Sequence, residues 1–356
     1  MKKITIVVGA RPNFIKVAPL IRAIEKTPEA SYHLVYAGRE DDPTLEATLF
    51  DDLQIPRPDS YMGVDSTSLN EITSRVMAEF DSLLDRVSTD VVIVVDDLAS
   101  TMAAAITAKK RGLLLAHLVA GTRSFDMKMP KEVNRLVIDA LSDYLFTAGV
   151  KSNSVATREQ AEGSNTYMVG NILMDSLRYN HQRFHAPAGF TLKENNYIVF
   201  TINRKALLDD EQKMNQLLDA MVNSVHNMPI IAPLRGKAAD VVAKYVEEHP
   251  NTSLQLVPPM SYLEFGWLTA HALGVITDSG NVAEEATFNN VACITLNSYT
   301  EHMETVIMGT NILVGEDPER LAYEASFMAD GEWKLAKLPD RWDGRTADRI
   351  VQILLS

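Results

Sequence analysis

The chain has 356 residues, 46% of them hydrophobic and 23% charged, with a formal net charge of −13. That length suits two domains, each burying its own core, and the acidic balance argues against nucleic acid or an anionic membrane as the main partner. The single cysteine excludes an intrachain disulfide and a cysteine-based metal cluster.

The opening Met-Lys-Lys-Ile-Thr-Ile-Val-Val-Gly is too short in its apolar part for a secretory leader and reads as a first strand. No apolar stretch approaches a membrane span, so a cytoplasmic protein is expected. From there, strand-like runs near Ile4–Val8, Leu34–Tyr36, Val91–Val95, Leu113–Leu118, Tyr144–Phe146 and Tyr167–Val169 alternate with helical patterns near Phe14–Glu25, Leu69–Arg86, Met102–Arg111, Val133–Leu141 and Ser152–Glu159. His185-Ala-Pro-Ala-Gly-Phe is the one clear linker. Strands resume at Tyr197–Thr201, Pro229–Ala232, Leu254–Val257, Leu273–Ile276, Ala292–Leu296 and Asn311–Val314. This alternation predicts two α/β domains with parallel sheets and a cleft between them. The boundaries expected are 1–170 and 171–342, with a last helix over about 343–356 packing back on the first domain.

In such folds ligands bind beyond the C-terminal ends of the strands. No G-x-G-x-x-G follows any strand, which counts against a nicotinamide or flavin enzyme. The first junction, Gly9-Ala-Arg-Pro-Asn-Phe-Ile-Lys, offers Arg11 and Lys16 to a phosphate, with Pro12 suited to a first helical turn. At the end of the run Val91–Val95, Asp97 is placed to point into the cleft, unless Asp96 or Asp97 serves as a helix cap. A divalent ion on such a pair would need a second carboxylate motif; none pairs with it, and no metal is expected.

The run Leu273–Ile276 turns through Thr277-Asp-Ser-Gly into an Ala/Glu-rich helix. Its free N–H groups make an anion site that Gly280 leaves open, unless Ser279 is only a cap. Glu284 and Glu285 lie one turn further in, in reach of ribose hydroxyls. Cys293, in the apolar run Val291 to Leu296, reads as a buried structural thiol.

The segment from His117-Leu-Val-Ala-Gly-Thr-Arg to Pro130-Lys-Glu-Val-Asn-Arg adds a family signal. With Gly9-Ala-Arg-Pro-Asn-Phe-Ile-Lys, Val169-Gly-Asn, Thr277-Asp-Ser-Gly and Gly309-Thr-Asn-Ile-Leu-Val-Gly, it resembles the non-hydrolysing UDP-N-acetylglucosamine 2-epimerases, in order from the first strand to about Leu321. The resemblance implies two Rossmann-like domains of the glycosyltransferase-B type, with a UDP-sugar in the cleft and no cofactor. The activity implied is interconversion of UDP-GlcNAc and UDP-ManNAc by elimination of UDP to a glycal and re-addition after protonation from the other face. A homodimer is implied as well.

Carried over by position, the UDP-holding set is Arg11, Lys16, Arg135, Arg204, Phe265, Ser279, Gly280 and Glu285. The chemical set departs from the family pattern. The glutamate of His-Val-Glu-Ala-Gly-Leu-Arg is Val119, the first glutamate of Pro-Glu-Glu-Ile-Asn-Arg is Lys131, and the histidine of Leu-His-Arg is Asn203. Gly38-Arg39-Glu40 stands for Gly-Gln-His, Pro233-Leu-Arg235 for Pro-Val-His, and His302-Met303 for the Arg-Pro of Thr-Glu-Arg-Pro. Asp97 alone survives of the carboxylates. Two readings follow: a UDP-sugar-binding homologue without epimerase activity, acting alone or beside an active relative in surface-polysaccharide or glycan metabolism, or an enzyme rebuilt around Asp97, either a 2-epimerase or a glycosyltransferase.

Overall fold

Apolar, β-branched runs separated by amphipathic helices cannot bury both faces except as parallel strands between helical layers. The computed structural model describes residues 1–45, 47–189 and 191–356, and it divides the chain into two units, Met1–Tyr179 with Asp340–Ser356, and Asn180–Pro339.

Unit 1 runs β1 (Lys2–Val8), α1 (Arg11–Glu25), β2 (Ala30–Tyr36), α2 (Ala47–Leu53), β3 (Ser60–Tyr61), α3 (Leu69–Leu84), β4 (Val91–Val95), α4 (Ala99–Lys110), β5 (Leu114–Ala120), α5 (Pro130–Leu141), β6 (Tyr144–Thr147), α6 (Val150–Glu159), β7 (Asn165–Met168) and α7 (Ile172–Asn180). The sheet order is β3-β2-β1-β4-β5-β6-β7, with every pairing parallel. All five residues of β4 are buried, as a central strand covered on both faces requires. β3, two residues long at the edge, is too short for its pattern to show in the sequence. The order reverses between β1 and β4, so the chain beyond Val8 and beyond Val95 opens at a switch point. Gly9 keeps this turn close to α4: a Cβ on it would crowd the side chains of Ser100 and Leu98.

Unit 2 runs β8 (Ile198–Phe200), α8 (Lys205–Leu208), α9 (Glu211–Ser224), β9 (Ile230–Pro233), α10 (Gly236–Glu248), β10 (Leu254–Val257), α11 (Tyr262–Ala270), β11 (Gly274–Thr277), α12 (Gly280–Asn289), β12 (Ala292–Thr295), α13 (Glu304–Ile307), β13 (Asn311–Leu313) and α14 (Pro318–Ala329). Its sheet, β10-β9-β8-β11-β12-β13, is again parallel throughout and reverses between β8 and β11. Cys293, on β12, turns its side chain into the core, and burial pushes its thiol up to about 12. Of the expected linker, residues 185–189 are irregular chain and Phe190 lies outside the described residues.

Unit 1 extends past the residue-170 boundary expected from sequence because α7 is tied to α1. Pro19, inside α1, has no N–H for the Ile15 carbonyl, and Ser176 of α7 donates to that carbonyl instead at 2.5 Å. The last helix, α15 (Thr346–Leu355), also belongs to unit 1. Asp175 of α7 caps it, accepting from the N–H groups of Thr346 and Ala347 at 3.0 and 2.9 Å. Just before it, Trp342 is fully buried and its indole N–H donates to Ala148 O at 3.0 Å. Among the described residues no helix is long and apolar enough to cross a membrane.

Candidate functional site

At the switch point of unit 1 the turn after β4 places Asp96 and Asp97. Asp96 has a left-handed backbone (φ 58°) and accepts from Asn13 Nδ2 at 2.8 Å and Lys16 Nζ at 2.6 Å, both on α1. Neither aspartate caps α4: the cap position is Leu98, whose N–H is taken by Thr101 Oγ1. Asp97 is 9% exposed. Its Oδ2 accepts from Arg135 Nε and Nη2 at 2.8 and 2.5 Å, and Lys131 Nζ lies 3.4 Å from its Oδ1. Burial alone raises the Asp97 carboxyl, but Lys131, Arg135 and Lys16 outweigh it and hold the group below its ordinary range. The retained carboxylate is therefore ionised and engaged by two cations of α5.

The other positions around it are equally committed. Glu132 accepts from the N–H groups of Ser124 and Phe125 at 2.8 and 3.0 Å, from Ser124 Oγ at 2.9 Å and from Arg135 Nη1 at 3.2 Å. Against its burial, the two backbone N–H groups keep its carboxyl below the ordinary range. It holds the 124–125 turn in place. Val119 lies at a register shift in β5 with φ 74°, a conformation costly for a β-branched side chain. Behind it, His117 Nδ1 meets Asp139 Oδ1 at 2.5 Å and Nε2 meets Asp96 O at 2.9 Å. Asp139 Oδ2 in turn takes Arg123 Nη1 at 2.7 Å and the Gly121 N–H at 3.0 Å. In the loop after β2, Arg39 is bound by Asp41 and Asp65.

In unit 2, α12 starts directly after the turn that ends β11. Ser279 occupies the cap position but its side chain makes no cap bond, so the capping reading does not account for it. A Cβ built on Gly280 would meet open space, and the first turn of the helix carries no acidic residue. These are the properties of an anion-binding helix end. The Asp278 carboxylate clamps the facing loop, accepting from the N–H groups of Asn203 and Arg204 at 2.9 and 2.6 Å. Arg204 reaches Glu316 at 3.0 Å and Leu296 O at 2.5 Å.

One turn into α12, Glu284 and Glu285 are both buried, at 2% and 7% exposure. Glu284 is paired with His302 Nε2 at 2.8 Å. The Glu285 side chain has no partner among the described residues, and burial together with Glu284 pushes its carboxyl up to about 8. Phe265 on α11 packs against the core cluster that contains Val282 and Ala283 of α12. No group of residues fit to hold a metal occurs among the described residues.

The family model for UDP-N-acetylglucosamine 2-epimerase matches residues 22–355. The chain belongs to this family. It is 30% identical to the UDP-N-acetylglucosamine 2-epimerase of Methanocaldococcus jannaschii, over 99% of this chain and 98% of that one. It is 31% identical to the UDP-2,3-diacetamido-2,3-dideoxy-D-glucuronate 2-epimerase of Pseudomonas aeruginosa, over 88% of each. The crystal structure of the M. jannaschii UDP-GlcNAc 2-epimerase in complex with UDP-GlcNAc and UDP superposes with a TM-score of 0.86, covering 99% of both chains. The epimerase-family chain thus has the glycosyltransferase-B-type fold, built from two parallel-sheet α/β units.

Two networks escape a reading by motif. Glu132, Arg135 and Asp139 share one face of α5 at spacings of three and four, a signal that an inward-facing polar stripe was present. The His302–Glu284 pair joins residues with no common motif, and only the fold brings them together.

Proposed function

We propose that this epimerase-family protein binds a UDP-sugar through unit 2 and does not 2-epimerise UDP-GlcNAc. The Ser279–Gly280 turn would receive the diphosphate, Glu285 the ribose hydroxyls and Phe265 the uracil side. The buried Glu285 carboxyl supports this, because a polar group so placed and left without a partner is costly unless a ligand completes it. The observation that carries the loss of chemistry is the Asp97 carboxylate, held by Arg135 and Lys131. A general base for a weakly acidic C2 proton works best with a pKa near the operating pH and a free lone pair aimed at that proton. A carboxylate held ionised by two cations is too weak a base. Val119 has no proton to exchange, and Asn203 does not titrate near neutral pH.

The test is NMR of UDP-GlcNAc in deuterium oxide with protein, alongside calorimetry with UDP. The expected result is UDP binding with no exchange of the C2 proton, with or without UDP-ManNAc. Val119→Glu with Lys131→Glu should not restore exchange, since Asn203 and the Gly38–Glu40 loop still depart from the pattern. Exchange proportional to wild-type protein and abolished by Asp97→Asn would replace this reading with that of a site rebuilt around Asp97.

A further inference from the structure

We propose that His302 is a positioning residue for nucleotide binding: it holds Glu284 so that Glu285 alone faces the ribose diol. The inference rests on the reading that unit 2 binds UDP. Glu284 and Glu285 are adjacent on α12 and both buried. Two neighbouring buried carboxylates interfere with each other, by mutual repulsion and by competing for the same hydroxyl donors. The Glu284 charge is among the causes that raise the Glu285 carboxyl. A donor fixed on one of them separates their roles. His302 Nε2 lies 2.8 Å from Glu284 Oε1 as an ion-pair contact rather than an aligned hydrogen bond, with the two side chains 13% and 3% exposed.

His302 is itself held from the sheet. Thr295 Oγ1 on β12 donates to Asn311 Oδ1 on β13 at 2.5 Å. Asn311 Nδ2 donates to Thr305 Oγ1 on α13 at 3.3 Å, and Thr305 Oγ1 donates to His302 O at 2.8 Å. From the other side, the His302 N–H donates to Thr300 Oγ1 at 3.2 Å. Thr295, Thr305 and Asn311 are each at most 2% exposed. A chain of buried hydrogen bonds that ends on one loop backbone sets where that loop's side chain points. Here the side chain points at the carboxylate beside Glu285. The family pattern has an arginine at this position, and the imidazole keeps a nitrogen 2.8 Å from the Glu284 carboxylate there.

Two nucleotides separate positioning from folding: UDP, and 2′-deoxy-UDP, which cannot offer the diol. Calorimetry at pH 7 with wild type, His302→Phe, His302→Gln and His302→Arg is expected to give one pattern. His302→Phe, which fills the space without a donor, should weaken UDP by about tenfold or more, the loss typical of a hydrogen bond to a charged group. The donor-bearing Gln and Arg variants should recover most of that loss. Binding of 2′-deoxy-UDP should be weak in the wild type and unchanged by any substitution at residue 302. Should His302→Phe not fold, as judged by thermal unfolding, His302→Ala replaces it. Equal UDP affinity in wild type and His302→Phe overturns the proposal, and so does an equal loss for both nucleotides. A wild-type protein that binds no UDP overturns the reading beneath it, and the proposal falls with that reading.

Discussion

Glu285→Gln separates stability from binding, because burial and a neighbouring carboxylate act on the wild-type group. The folded carboxyl is pushed up to about 8 from its ordinary 4.5 by burial and by Glu284. Between those two values the folded chain holds a proton that the unfolded chain has released. Stability conferred at low pH is therefore lost as pH rises from about 4.5 to about 8, and is flat above. At about 1.36 kcal/mol per unit the gap corresponds to about 5 kcal/mol, and water entry at the helix end brings the measurable figure nearer 2–3 kcal/mol. Glutamine has the same shape and no charge to bury. The stability difference between Glu285→Gln and wild type, from urea unfolding in steps from pH 5 to pH 8.5, should start near zero and grow in favour of glutamine. UDP affinity at pH 8 should move the other way, weakening by about 1–3 kcal/mol as a charged acceptor is lost. Stability gained with affinity lost is the mark of a residue kept for a ligand. A pH-independent stability difference would refute the burial argument, and undiminished UDP affinity would refute the ribose assignment.

Three further outcomes are expected. Asp97→Asn should cost about 3 kcal/mol at pH 7, since it removes the charge that Arg135 and Lys131 face; because the Asp97 carboxyl is lowered, the difference from wild type should shrink as pH falls below 3.8, as urea unfolding at pH 7 and pH 3 would report. Val119→Gly should fall within about 1 kcal/mol of wild type, relief of the left-handed backbone offsetting the lost methyls, whereas Val94→Gly, in a strand buried on both faces, should cost more than about 3 kcal/mol in the same assay. Trp342→Ala should cost about 3–5 kcal/mol, and limited proteolysis should then cut first in the segment leading into α15.

The strands were legible because buried parallel strands write themselves as short β-branched runs, Val91–Val95 being the plainest; the switch points appear only with the strand order. Edge elements were not: Ser60–Tyr61 is too short to show a period, and α7 shows its allegiance to unit 1 through the Ser176–Ile15 bond that Pro19 makes necessary and through the Asp175 cap on α15. The candidate positions Asp97, Ser279, Gly280 and Glu285 could be named from the strand ends and the family resemblance. Their state could not. That Asp97 is bound by Lys131, that the Ser279 side chain makes no cap bond and that Glu285 lacks a partner among the described residues are facts of side-chain direction, which one-dimensional spacing does not carry.

The backbone around Val119 explains how a carboxylate can be absent there while the fold persists. Its left-handed φ lies at the register shift between Leu118 and Ala120, and the shift brings the Gly121 N–H onto Asp139. Asp139 also binds His117 and Arg123, and Arg123 binds Glu159 at 3.0 Å. These buried contacts fix the strand end without using the side chain of residue 119, which is only half-buried. The scaffold of the turn and the group displayed on it are thus energetically separate. The side chain at 119 can therefore change at little cost in stability, whereas Glu132, whose carboxylate holds the 124–125 turn, has no such freedom. Glu132→Gln should therefore destabilise unit 1 by about 1–3 kcal/mol, the usual effect of weakening hydrogen bonds to a buried charged group. Val119→Glu, by contrast, should leave unfolding by urea within about 1 kcal/mol of wild type, with the new carboxylate reaching solvent from its half-buried position. If Val119→Glu proved the more damaging of the two, the strand end would depend on the apolar side chain, and the separation of scaffold from displayed group would be wrong.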